Sequence, residues 1–286
     1  MSVNILFYIV FLGQIFLVSY YFPKKITQRV SDLLDKFPAS EYPKLYPQSV
    51  DKVVKGQITF KLLNKIILVV GLALLFVYGL MSADYDDNQK HAEGLPIFYG
   101  MLQFIPYILM EISGFKQFKL MKQSDQRTSR VAELQPRRLF DFISPLAFFS
   151  AVTLFIAYFL FDLYIHDFAF TIDMIPRFIA ISLCNLLFIG LTLRNLYGKK
   201  LDPFQANKDR LRQISAATRS MVSISIIASL FLMITAAVEV FDLEHFEVIF
   251  NSLYFQIIGI FGLGSILQAM NLDEIDFDVY KEVKTQ

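Results

Sequence analysis

Apolar and polar positions alternate along this chain on the scale of whole helices rather than single turns. Seven predominantly apolar runs lie near 3–22, 64–82, 96–114, 140–161, 175–194, 221–240 and 248–269, separated by more polar stretches. A bilayer crossing takes about 20 helical residues at about 1.5 Å rise each, and every run meets that length. The pattern predicts an all-α, polytopic helical membrane protein with seven transmembrane helices, forming a single membrane domain over residues 1–286. The first run does not read as a cleaved signal peptide. Its leading "MSVN" has no basic residue, and "PKK" follows where a small-residue cleavage site would stand. A retained helix with its N-terminus outside is the expectation.

Charge then assigns sides. Lysines and arginines resist translocation, so loops rich in them stay cytoplasmic. Residues 23–65 carry nine, residues 115–138 seven and residues 194–219 seven, with Lys281 and Lys284 in the tail. Of the 27 basic residues only Lys90 and Arg177 fall in the alternate loops. This predicts N-terminus outside, C-terminus cytoplasmic, and an acidic cytoplasmic tail at 271–286. The alternate loops are acidic instead: Asp84, Asp86, Asp87 and Glu93; then Asp162, Asp167 and Asp173; then Glu239, Asp242, Glu244 and Glu247.

Asp84, Asp162 and Asp242 each end an even-numbered span, at intervals of 78 and 80 residues. Pro96 and Pro176 open the following spans, again 80 apart. The spacing suggests one N-terminal helix followed by three hairpins as parallel repeats. The three aspartates are then expected at one depth at the outer boundary, as solvated helix ends or as an acidic ring. Within the cytoplasmic segment 24–60, Ile26, Val30, Leu33, Leu34 and Phe37 share one helical face, with Lys25, Arg29, Asp32 and Lys36 around the other. Pro38, Pro43 and Pro47 break the chain before a second helix begins near Ser49 and runs into span two. Such a basic amphipathic helix is expected along the inner leaflet, Leu33 and Phe37 facing lipid or the bundle, or as a docking surface for a protein partner.

Composition adds that 55% of residues are hydrophobic and the mean hydropathy is +0.48, too apolar for an ordinary soluble domain. The net charge of +1 argues against a nucleic-acid partner. One cysteine, Cys184, excludes an internal disulfide, and His91, His166 and His245 are too scattered to predict a metal site. No nucleophile elbow, zinc-protease or phosphate-loop motif is present, so neither an enzyme nor a cofactor is expected. The glycines of "GIFGLG" at 259–264 and the pair Ser225 and Ser229 read as helix-packing positions. Glu111, Asp141 and Arg177 each have an opposite charge nearby in sequence, namely Lys116, Arg137 with Arg138, and Asp173. What remains near mid-span is four amides, Gln14, Gln103, Asn185 and Gln256, from spans one, three, five and seven, with Pro106 just after Gln103. An amide facing lipid is costly, so all four should face protein.

These features support an interaction, assembly or sensory component of the membrane, whose partners are the lipid bilayer and a protein at the cytoplasmic face. The alternative is a channel or carrier for a small solute or cation, drawing on the midplane amides and the acidic outer mouth. The short loops, and the absence of an Asn-x-Ser/Thr sequon, suit a bacterial cytoplasmic (inner) membrane.

Overall fold

A computed structural model describes residues 3–84, 94–125, 127, 137–172 and 174–282, with side chains left out at 3, 4, 81–84 and 239. Regular structure among them is helical throughout. Eight α-helices run in order: α1 Val3–Phe16, α2 Phe22–Lys36, α3 Val50–Asp84, α4 Leu95–Ser124, α5 Pro145–Ile165, α6 Met174–Tyr197, α7 Asn207–Val240 and α8 Glu247–Ala269. A π-turn at Leu17–Tyr21 joins α1 to α2 without a break, so seven helices are long and apolar enough to span a membrane.

The helices agree with the apolar runs in number and order but not in length. The first continuous helix runs Val3–Lys36 and holds a candidate span of 32 residues, Ile5–Lys36, and α3 covers 35. At about 1.5 Å per residue these reach about 48 and 52 Å, against a hydrocarbon core of about 30 Å. Helices α4 and α7, with 30 and 34 residues, overshoot likewise. Lys52, Lys55, Lys61 and Lys65 precede the apolar run of span two, and the helix runs through them without a proline, as expected from a start near Ser49. Span four begins later than 140, because Leu139–Asp141 forms a 3₁₀ turn and Ser144 caps α5 by accepting from the Ala147 amide at 3.2 Å, with Pro145 first in the helix.

The overshoot gathers at one end. The C-terminal part of α2, the 37–46 loop, the end of α4, the 202–204 turn and the tail after α8 meet there, around buried Tyr42, Met121, Phe204, Phe277 and Tyr280. We call this the basic end. The opposite, acidic end carries the turns at 163–172 and 241–246, where Asp167, Phe168 and Asp242 adopt left-handed backbone (φ 51°, 58° and 52°) to close off α5 and α7. The loop holding Asp86, Asp87, Lys90, His91 and Glu93, and also Asp173, lies outside the described residues.

Two groups of helices make the bundle. The first packs α1, α3, α4 and α8 together; the second packs α5 and α6 onto α7; α7 and α8 join them. The three predicted helix pairs therefore pack unlike one another. Helices α3 and α4 meet around Tyr99, which lies against Ile67 and Gly71, whereas α5 and α6 meet through Tyr158, Phe159 and Phe178 near the acidic end. Glycines permit the tightest contacts. A Cβ on Gly71 would stand 2.2 Å from the Tyr99 hydroxyl, and one on Gly100 2.5 Å from the Phe255 ring. Gly259, in the run first read as packing, lies against Val18 in the same way. Leu183, Leu186, Leu187 and Ile189 of α6 and Leu146, Phe149 and Leu160 of α5 are largely exposed, an apolar surface suited to lipid.

Candidate functional site

The interior polar network begins with Pro23. Proline has no N–H, so neither a 4- nor a 5-residue backbone bond to its position can form. The chain answers with the π-turn, in which the Phe22 amide bonds the Leu17 carbonyl instead of that of Val18. Val18 is thereby left without a helical donor, and the Tyr107 hydroxyl from α4 donates to its carbonyl at 2.6 Å. One residue on, buried Ser19 points at the same helix.

From there a chain of donors crosses the first helix group. The Gln103 amide donates to Ser19 Oγ at 2.9 Å; Ser19 and the Tyr99 hydroxyl are 3.3 Å apart; Tyr99 donates to the Ile67 carbonyl of α3 at 3.0 Å. Gln103 also donates to the Gln14 carbonyl at 3.2 Å and accepts from the Gln14 side chain at 3.0 Å. Gln14 donates further to the Pro96 carbonyl at 3.2 Å, while its own Oε1 is buried with no hydrogen-bond partner among the described residues. Such chains strengthen one another in a low-dielectric interior.

The four mid-span amides do not form one cluster. Gln14 and Gln103 bond each other directly. Gln256 bonds neither of them, donating instead to the Val10 carbonyl at 2.9 Å beside Gly13. Asn185 belongs to the other helix group, donating to the Ile181 carbonyl of its own helix and accepting from Ser225 of α7. All four have protein partners, mainly in the backbone.

The aspartates diverge more sharply. Asp162 is fully buried, against the expectation of a solvated helix end, and neither carboxylate oxygen has a hydrogen bond among the described residues. Arg177 and His166 both stand 3.9 Å from Oδ1, and the Tyr158 hydroxyl one turn earlier is buried and unpartnered. A short left-handed turn folds the start of α6 back onto α5, which brings Arg177 to Asp162, 15 positions earlier. Asp242 is exposed, and the Asp84 side chain lies outside the described residues. Asp141 accepts from the Arg138 backbone amide at 2.9 Å, where a side-chain pair was expected. Glu111 faces outward, with no ion pair to Lys116 among the described residues.

At the basic end the apolar face of α2 is covered by the chain itself. The Phe277 ring stacks 3.8 Å from Phe37, and Leu33 packs into the same cluster. Tyr280 donates to buried Asp202 at 2.5 Å, whose other oxygen accepts from the Phe204 and Gln205 amides. Burial pushes the Asp202 carboxyl above the usual carboxylate range, against the pull of those hydrogen bonds. Burial, followed by the nearby Asp202, raises the Tyr280 phenol. Helix α2 continues α1 through helical backbone and packs on α3 and α8, with Phe22 and Ile26 against Phe60 and Leu263.

No known family, curated protein or solved structure matches this chain. Its chemistry rests on the geometry alone. Among the described residues no three His, Cys, Asp or Glu side chains converge as metal ligands. Tyr99, Tyr107, Ser19 and the Asp202–Tyr280 pair escaped the sequence reading. Only Pro23, next to an aromatic run, and Phe277 and Tyr280, three apart in an acidic tail, signalled them.

Proposed function

We propose that the protein is an integral membrane component that acts through contacts made at its basic end, as an assembly or sensory element. In this reading the N-terminus is outside, the basic end is cytoplasmic, and the membrane is a bacterial inner membrane. One observation carries the proposal: helices α2, α3, α4 and α7 outrun a bilayer at the same end and pack there into an extension with its own apolar cluster. The cation–aromatic pairs Lys24 with Tyr20, Lys25 with Tyr21 and Arg194 with Phe115 fit a headgroup boundary below that extension. The mid-span amides support the same reading, since each bonds to protein. A stoichiometric partner should co-purify in mild detergent and be lost when exposed Lys52 and Lys55 of the extension are changed to Glu. Isolation as a single species, with both forms behaving identically, refutes it.

A second reading, a carrier for a small solute or cation, is favoured by Asp162, a buried carboxylate lacking hydrogen bonds. It requires that Asp162→Asn abolish solute-dependent flux in proteoliposomes while leaving the fold intact.

A further inference from the structure

Residues 270–282 hold to the basic end in two different ways. The first is apolar and buried. Phe277 and Tyr280 supply two of the five buried side chains of the cluster, and Tyr42, Met121 and Phe204 supply the rest. The second is ionic and exposed. Asp273 pairs with Lys36 of α2 at 3.4 Å, Asp276 with Lys208 of α7 at 3.8 Å, and Glu274 with Arg212 of α7. Both side chains of the Lys36–Asp273 pair are more than half exposed, as is that of Lys208. Backbone contacts complete the attachment: Arg29 donates to the Met270 carbonyl at 2.7 Å, and the Asp276 amide donates to Asp209 at 3.0 Å.

We infer that the 270–282 segment is a releasable latch, set by ionic strength, that covers Tyr42, Met121 and Phe204 when closed and uncovers them when open. Exposed ion pairs are weak and salt-screened, because the Debye length falls from about 30 Å at 0.01 M to about 3 Å at 1 M. The acidic segment is therefore the part of the basic end whose attachment salt loosens first. The buried contacts define where it returns: Phe277 against Phe37, and the Tyr280 hydroxyl on Asp202, which also organises the 202–205 turn. Opening removes the donor from one buried Asp202 oxygen and bares three apolar side chains, so the closed form dominates in low salt. The latch stands whether or not the extension binds a partner.

The test uses the full chain in nanodiscs with Cys184→Ala and one reporter at a time. Met121→Cys reports on the covered cluster. Leu196→Cys reports on a neighbouring buried cluster at the same end, formed with Phe142 and Ile214 and free of tail residues. Maleimide labelling is followed between about 0.01 and 1 M NaCl, limits that bracket full screening. Labelling at 121 should accelerate roughly tenfold across that range, the combined effect of three weak pairs. Glu274→Gln with Asp276→Asn should give much of that acceleration already in low salt, and labelling at 196 should stay slow throughout. Tyr42→Cys serves as a second covered reporter should Met121→Cys not fold. Salt-independent labelling at the covered position overturns the latch. Acceleration at 121 and 196 together also overturns it, because the end then opens as a whole.

Discussion

At the residue scale, close approach and hydrogen-bond capacity decide which side chains matter. Gly71→Ala drives a methyl group into the Tyr99 hydroxyl and ring, so it should cost about 1–3 kcal/mol in thermal unfolding, as overpacking does. Gly56→Ala, with open space around it in the same helix, should be neutral or stabilising by up to about 1 kcal/mol. Equal effects at the two positions would mean that Tyr99 does not approach α3 as described. Gln103→Leu removes three hydrogen bonds and should cost about 1–2 kcal/mol, whereas Asn185→Leu removes one contact between helices and should cost about 0.6. The two belong to separate helix groups, so their effects should add. Non-additive losses would place them in one network.

At the element scale, hydropathy marked where apolar side chains are dense, and that located all seven spans. It stopped at the first cluster of lysines, while the proline break ending at Pro47 placed the start of the longer helix near Ser49, next to where Val50–Asp84 begins. Depth along a helix was legible, so Gln14 and Gln103 could be matched. Which helices adjoin was not, and Asn185 accordingly joined a cluster to which it does not belong. Asp162 read as a helix end because acidic residues follow it, while burial came from the turn that returns Arg177 to it. The π-turn makes its own prediction: Tyr107→Phe leaves the Val18 carbonyl buried without a donor, for about 1–3 kcal/mol lost in thermal unfolding. An unchanged melting temperature would contradict the role given to Pro23. The tail gives another. Because the Asp202 carboxyl is raised in the folded chain, that chain binds its proton more tightly than the unfolded one. Stability contributed at Asp202 therefore falls as pH rises from the ordinary carboxylate range through the raised value, then levels off. Glu274, lowered by Asn271 and then Arg212, acts in the opposite sense, and its contribution is lost as pH falls through its lowered value. Hydrogen exchange of 275–281, corrected for intrinsic rates, should slow on mild acidification, and Asp202→Asn should abolish that slope. A slope unaffected by Asp202→Asn would assign it to another group.

For the whole molecule, the elongated basic end and the short, left-handed turns of the acidic end make the two faces of the bundle unequal. The proposed function places the extension on the cytoplasmic side. The most direct measurement places single cysteines, in a chain carrying Cys184→Ala, at exposed Phe168 on the acidic end and at exposed Lys52 on the extension. A membrane-impermeant maleimide is then added to spheroplasts before and after the membrane is opened. Labelling at 168 in sealed spheroplasts, with 52 reacting only once they are opened, is the predicted result. Labelling at 52 in sealed spheroplasts, with 168 protected, would put the extension outside and contradict the proposed orientation.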